Sequence, residues 1–110
     1  MATSTIIPNV QVVHSKFDGT QTLQVSGSTY YGLFENLPAG LWLITITAYF
    51  TTGEMLVCYG NSIDNIISEN NDGGHSGAGI VKLTSPTTIQ LYFTNNNTVN
   101  RFKAEAIRLA

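Results

Sequence analysis

The chain has 110 residues, 43% of them hydrophobic, and seven acidic against five basic side chains give it a net charge of -2. That length suits one domain with one core and leaves no room for a second. The cations Lys16, Lys82, Arg101, Lys103 and Arg108 form no run, so no basic field exists for a phosphate backbone and nucleic acid drops out as an expected partner.

Charged residues are only 11% of the chain, and Thr, Ser, Asn, Gln and Gly take their place. Residues 1–8 read as a flexible N-terminal segment ahead of a single domain over residues 9–110. The segment lacks a basic n-region and an apolar h-region of signal-peptide length. No apolar run approaches the roughly twenty residues of a membrane span, so membrane insertion is not expected. The chain reads as one made in a cytoplasm without a signal peptide, or as a piece of a longer protein.

From there the hydrophobic period is two almost throughout. Strands are expected at residues 10–14, 21–25, 29–34, 41–50, 55–59, 79–83, 88–94 and 102–109. Turn residues separate them at intervals of about ten, the spacing of a sandwich or barrel. The punctuation is Asp18-Gly19, Ser26-Gly27, Leu37-Pro38-Ala39-Gly40, Thr52-Gly53, the stretch 60–78, Ser85-Pro86 and Asn95-Asn96-Asn97. Within 61–68, Ile63, Ile66 and Ile67 suit one helical turn as well as an irregular strand. About eight antiparallel strands is the count of a jelly-roll β-sandwich.

The long run 41–50 is apolar on both alternating faces. Trp42, Ile44, Ile46, Ala48 and Phe50 form one side, and Leu41, Leu43, Thr45, Thr47 and Tyr49 the other. An isolated sandwich strand has one wet face, so cover from a second copy is expected over Leu41, Leu43 and Tyr49. In 102–109 the apolar phase changes near Ala106, which calls for a bulge there or a strand end leaving the core for a subunit contact. Cys58 lies in an alternating run and reads as a buried thiol with no disulfide partner. Trp42, Tyr30 and Tyr31 read as core or interface aromatics.

Catalysis finds no constellation. His14 and Ser15 are adjacent on a strand and point to opposite faces, so they make no base and nucleophile pair. Glu69 and Asp72, on an Asn/Gly-rich stretch, read as solvated turn formers rather than paired acids for glycoside cleavage. Asp64, Glu69 and Asp72 match no compact calcium loop. No enzyme activity, cofactor or metal is expected. Asn96-Asn97-Thr98 matches a glycosylation sequon and, without a secretory signal, is read as a chance match.

Ligand chemistry concentrates in two connections. The segment 70–77 offers Asn71, Asp72, His75 and Ser76 on a glycine-rich backbone able to approach a sugar closely. The segment 95–100 offers Asn96 and Asn97, flanked by Tyr92 and Phe102, a pairing of amides with an aromatic face. Both are also ordinary turn material.

Two stretches carry a family resemblance. Leu37-Pro38-Ala39-Gly40-Leu41-Trp42, running into its long alternating strand, resembles the corresponding segment of trimeric jelly rolls of the complement-C1q and tumour-necrosis-factor type. Thr88-Ile89-Gln90-Leu91-Tyr92-Phe93, an Asn/Thr connection and the closing strand 102–109 are similar to the C-terminal head domains of bacteriophage tail fibres and receptor-binding proteins. The resemblance implies a homotrimer that covers Leu41, Leu43 and Tyr49, a virion location, and distal loops that adsorb to a host cell-surface receptor, with a saccharide as the expected class and a protein as the other. Two alternatives accompany it: a structural capsid-decoration or head-fibre protein without a receptor site, and a free-standing carbohydrate-binding module or lectin.

Overall fold

The computed structural model describes residues 11–19, 22–71 and 76–110. These form nine strands and no helix: β1 (Val12–His14), β2 (Thr22–Val25), β3 (Thr29–Leu37), β4 (Gly40–Tyr49), β5 (Glu54–Tyr59), β6 (Ser62–Asn71), β7 (Ser76–Leu83), β8 (Thr87–Phe93) and β9 (Asn97–Arg108). Residues 1–8, and the expected strand starts at Val10 and Gln21, lie outside the described residues.

All pairings are antiparallel and sort into two sheets. Sheet A runs β1–β9–β4–β7, with β2 also on β9; sheet B runs β3–β8–β5–β6. β1 pairs with residues 105–107 of β9 and β2 with residues 97–100, so the two share one edge of β9 end to end. The β5–β6 hairpin stays within sheet B, whereas β2–β3, β3–β4, β4–β5, β6–β7, β7–β8 and β8–β9 each pass from one sheet to the other. The expected all-β antiparallel sandwich is what these residues form.

The core lies between the sheets, as the alternation predicts. Trp42, Ile44, Ile46 and Ala48 from β4 meet Ile89, Leu91 and Phe93 from β8 and Met55 and Val57 from β5, all buried. Trp42 also donates its indole Nε1–H to the Pro38 carbonyl at 2.9 Å, which ties the β3–β4 turn to the core. Each such large side chain stabilises by about 1.5–3 kcal/mol on leaving water.

Three local readings need correction. The stretch 60–78, read mostly as a connection, contains β6 and the start of β7. Gly60 and Asn61 take φ of 71° and 52°, the doubly positive geometry of a tight hairpin turn. Tyr59 then pairs with Ser62 but Cys58 with Ile66, so residues 63–65 arch out of the ladder. That arch scrambles the isoleucine spacing and hides the strand period.

The second correction concerns β9, which starts at Asn97 rather than beyond Asn100. Thr47 pairs with Lys103 and Tyr49 with Asn100, so two steps on β4 face three on β9. The extra residue is Arg101, at φ 55°. Its bulge lets Val99 and Phe102 both enter the core, although they are three apart. No bulge occurs at Ala106, whose pairings to β1 and β4 are regular. Ala106 stays on the core face, and Ile107 faces outward. Third, β3 continues past Phe34 to Leu37 through two register shifts, with Asn36 at φ 49°.

The sheets converge where β6 meets β7. Asn70 Nδ2 donates to the Ser76 carbonyl at 2.6 Å. A Cβ at Gly79 would lie inside the contact distance of the Ile67 carbonyl oxygen, so only glycine allows this approach.

Candidate functional site

Register places the connections 26–28, 50–53 and 94–96 at one pole of the sandwich, because Val25 pairs with Asn97 while Thr29 and Met55 both pair with Phe93. Asn71 pairs with Glu54 and Ser76 with Thr47, so those strand ends reach the same pole. Asp72 and His75, between them, lie outside the described residues. The backbones of Gln11 and Ala110, bonded to Arg108 and Leu41, lie at the opposite pole.

A cleft of about 440 Å³ opens at the first pole. Gln24 and Val25 of β2 form one wall, and Thr51 and Thr52 of the β4–β5 connection form another. Asn96 closes an end, and Asn97, Thr98 and Asn100 supply the start of β9. The β9 alternation sends Thr98 and Asn100 outward while Asn97 and Val99 turn in. Among the described residues, none of the lining side chains ionises. The nearest cation by register, Arg101, holds its guanidinium 4.9 Å from the ring centre of Tyr49, and Tyr49 pairs with Asn100.

Hydrogen bonds fix this pole. The Thr98 hydroxyl donates to Gln24 Oε1 at 3.0 Å and the Thr22 hydroxyl to Asn100 Oδ1 at 3.3 Å, clamping β2 to β9 above the ladder. Gly27 N–H donates to Asn96 Oδ1 at 2.7 Å, and Ser26 N–H to the Tyr31 hydroxyl at 2.8 Å. A Cβ on Gly27 would come 2.8 Å from the Asn95 carbonyl carbon, so the β2–β3 and β8–β9 turns touch backbone to backbone.

Asn97 is 6% exposed and belongs to the frame. Its Oδ1 accepts the amides of Thr51 and Thr52, both at 3.2 Å, and its Nδ2 donates to the carbonyls of Thr52 at 2.9 Å and Asn95 at 3.1 Å. The side chain thus holds the Thr51–Thr52 wall in place.

Of the sequence-predicted residues, the cleft brings together Asn96 and Asn97. Asn71 and Ser76 are exposed at the same pole but do not line it. Tyr92 does not flank it: it faces out from sheet B and packs on Tyr30, with ring centres 4.8 Å apart. Phe102 is buried edge-to-face against Phe17 at 5.8 Å. Gln24, Thr51, Thr52, Thr98 and Asn100 were not singled out, although the alternation around Gln24 does mark it as outward-facing.

A second surface crosses sheet A. On its outer face, register aligns Val12, Ile107, Leu43 and Ile80 in one row over β1, β9, β4 and β7. Ile80 is 62% exposed and Val12 44%. Leu41 and Leu43 are half-buried and Tyr49 is 39% exposed. The adjacent row carries His14, with Nδ1 3.4 Å from both Asp18 Oδ2 and Glu105 Oε2.

The outer face of sheet B is partly sealed by its own chain. Asn61 N–H donates to Gln90 Oε1 at 2.6 Å, Gln90 Nε2 donates back to Asn61 Oδ1, and Ile63 N–H donates to the Tyr30 hydroxyl at 3.1 Å. The 60–65 excursion thereby lies over Gln90 and reaches Tyr30 on β3. Cys58, paired with Gln90 on this face, is buried, and burial pushes its thiol up from 9.0 to about 11. Among the described residues no group of three or more His, Cys, Asp or Glu is placed to hold a metal ion.

Compared with protein-family models and with curated protein sequences, the chain finds no match in either.

Proposed function

We propose that the chain is the trimeric jelly-roll head of a bacteriophage tail fibre or receptor-binding protein, which adsorbs to a host cell surface through the cleft pole. Strand order supports the jelly roll: a five-stranded sheet, in which β1 and β2 share one edge of β9, a four-stranded sheet, six connections that cross between them and one hairpin suit paired Greek keys. The apolar row Val12–Ile107–Leu43–Ile80 supports self-association, since a sheet face carrying four aliphatic side chains across four strands is stabilised by cover from another copy of the chain.

The observation that carries the reading is polar separation. The cleft lies at one pole, and Gln11 and Ala110 lie at the other, so attachment at that second pole presents the cleft outward. The engagement of Asn97 in the frame favours one competing reading, a capsid-decoration protein whose amides serve only its own turns.

Two measurements test the proposal. Light scattering should give about three times the 11.9 kDa chain mass. Fluorescently labelled protein should decorate bacterial cells of a susceptible strain and be competed off by unlabelled protein. A trimer that decorates none of a broad panel of cells supports the decoration protein, and a concentration-independent monomer refutes the trimeric head.

A further inference from the structure

We infer that the ligand of the polar cleft is an uncharged saccharide, gripped by the side chains of Gln24, Thr98 and Asn100 against the Thr51–Thr52 wall; this rests on the adsorption reading above and names its receptor chemistry. Charge comes first. Among the described residues no lining side chain ionises, so none of them would neutralise a carboxylate or phosphate, whose desolvation would go uncompensated. The nearest guanidinium is stacked on Tyr49 outside the lining.

Apolar ligands are disfavoured for the opposite reason. Pockets for such ligands are walled mainly by hydrophobic and aromatic groups, whereas Val25 is the sole aliphatic among the described lining residues. What remains is a dense set of amides and hydroxyls, each able to donate and accept, which is the pattern that matches vicinal sugar hydroxyls. A volume of about 440 Å³ accommodates a ligand of one or two sugar rings.

The backbone adds an independent point. Arg101 sits at φ 55°, a conformation that costs a non-glycine residue free energy and that bulges use to re-aim side chains. Had β9 kept the phase of Phe102, Ala104 and Ala106 without that bulge, Thr98 and Asn100 would point into the core and Asn97 and Val99 outward. The bulge is what delivers Thr98 and Asn100 to the cleft.

The test uses the full chain and saturation-transfer and amide-shift NMR with glucose, galactose, mannose, N-acetylglucosamine and their disaccharides at millimolar concentration, beside glucuronic and sialic acids. At least one neutral sugar should bind, with shifts centred on Thr51, Thr98 and Asn100. Gln24→Glu and Asn100→Asp keep the oxygens that accept from Thr98 and Thr22 while removing the amide donors. Each should weaken that sugar by about tenfold with an unchanged melting temperature. A preference for the acids, shifts centred on Tyr30 and Tyr92 or on Asn71 and Ser76, or full affinity in both variants would overturn the inference. So would the absence of any sugar binding. Cell decoration separates the two levels: wild-type and Gln24→Glu/Asn100→Asp proteins that decorate cells equally sink the saccharide cleft and leave the adsorption reading standing, whereas no decoration by either sinks the adsorption reading itself.

Discussion

Replacing Asn97 by Ala tests whether the polar pole is a built structure or a set of loose turns. The side chain makes four bonds of 2.9–3.2 Å, accepting from the Thr51 and Thr52 amides and donating to the Thr52 and Asn95 carbonyls. At about 1 kcal/mol net per bond, less what water recovers at the exposed Thr51 and Thr52, the loss comes to about 2–3 kcal/mol. Asn97→Asp retains the acceptor, loses both donors and sets a carboxylate against two carbonyls, so it should fall at least halfway. Asn96→Ala removes one exposed bond, to Gly27 N–H, and should cost about 0.5–1 kcal/mol. Thermal unfolding by circular dichroism at one fixed protein concentration reads the series, because association makes the midpoint concentration-dependent. Asn97→Ala should lower the midpoint by about 10 °C and Asn96→Ala by a few degrees. Equal midpoints for the two alanine variants would show that the Thr51–Thr52 wall is held by something other than Asn97.

Leu43→Asp, at the centre of the apolar row, should yield a folded 11.9 kDa monomer by light scattering; an intact oligomer would mean that another face assembles. Sugar shifts at Thr98 should persist in that monomer, while cell decoration, which in the proposed trimer gains from three linked sites, should drop. Gly79→Ala should destabilise by about 2 kcal/mol or more in urea titration, since the added methyl meets the Ile67 backbone carbonyl as well as its side-chain Cγ2, and the backbone cannot swing aside; a neutral result would show that the β6–β7 seam can open. For Cys58, the folded thiol keeps its proton to about pH 11 whereas the unfolded one releases it near pH 9, so stability should decline as pH rises through that window. Cys58→Ala should flatten the decline, and wild-type protein should resist thiol reagents at pH 8 until it unfolds; rapid labelling of native protein would contradict the buried placement.

Much of the fold was legible because burial has a period. In β4, Trp42, Ile44, Ile46 and Ala48 alternate without interruption and all are buried. In β8, Ile89, Leu91 and Phe93 do the same. Legibility failed where the backbone leaves its ladder. The arch at residues 63–65 breaks the alternation of β6, so Ile63, Ile66 and Ile67 fall at spacings that suit a helix as well. The asparagines of 95–100 look alike on paper. Asn97, buried in the frame, differs from Asn100, facing the cleft, only through strand phase, and Arg101 resets that phase one residue later.

Arg101 also accounts for how a sheet face that is apolar around Ile107 ends in amide and hydroxyl at the pole. Ile107 and Asn100 both point outward from β9, separated by about 20 Å of extended chain. Without the bulge the outward phase of Glu105 and Ile107 would carry on to Arg101 and Val99, placing an aliphatic side chain where the cleft now has Asn100. By shifting the phase, the bulge turns Val99 into the core and exposes amide and hydroxyl in its place. Glu105 and Lys103, outward on β9 between Ile107 and Asn100, separate the proposed association row from the proposed ligand surface, and a single inserted residue gives the latter its polar side chains.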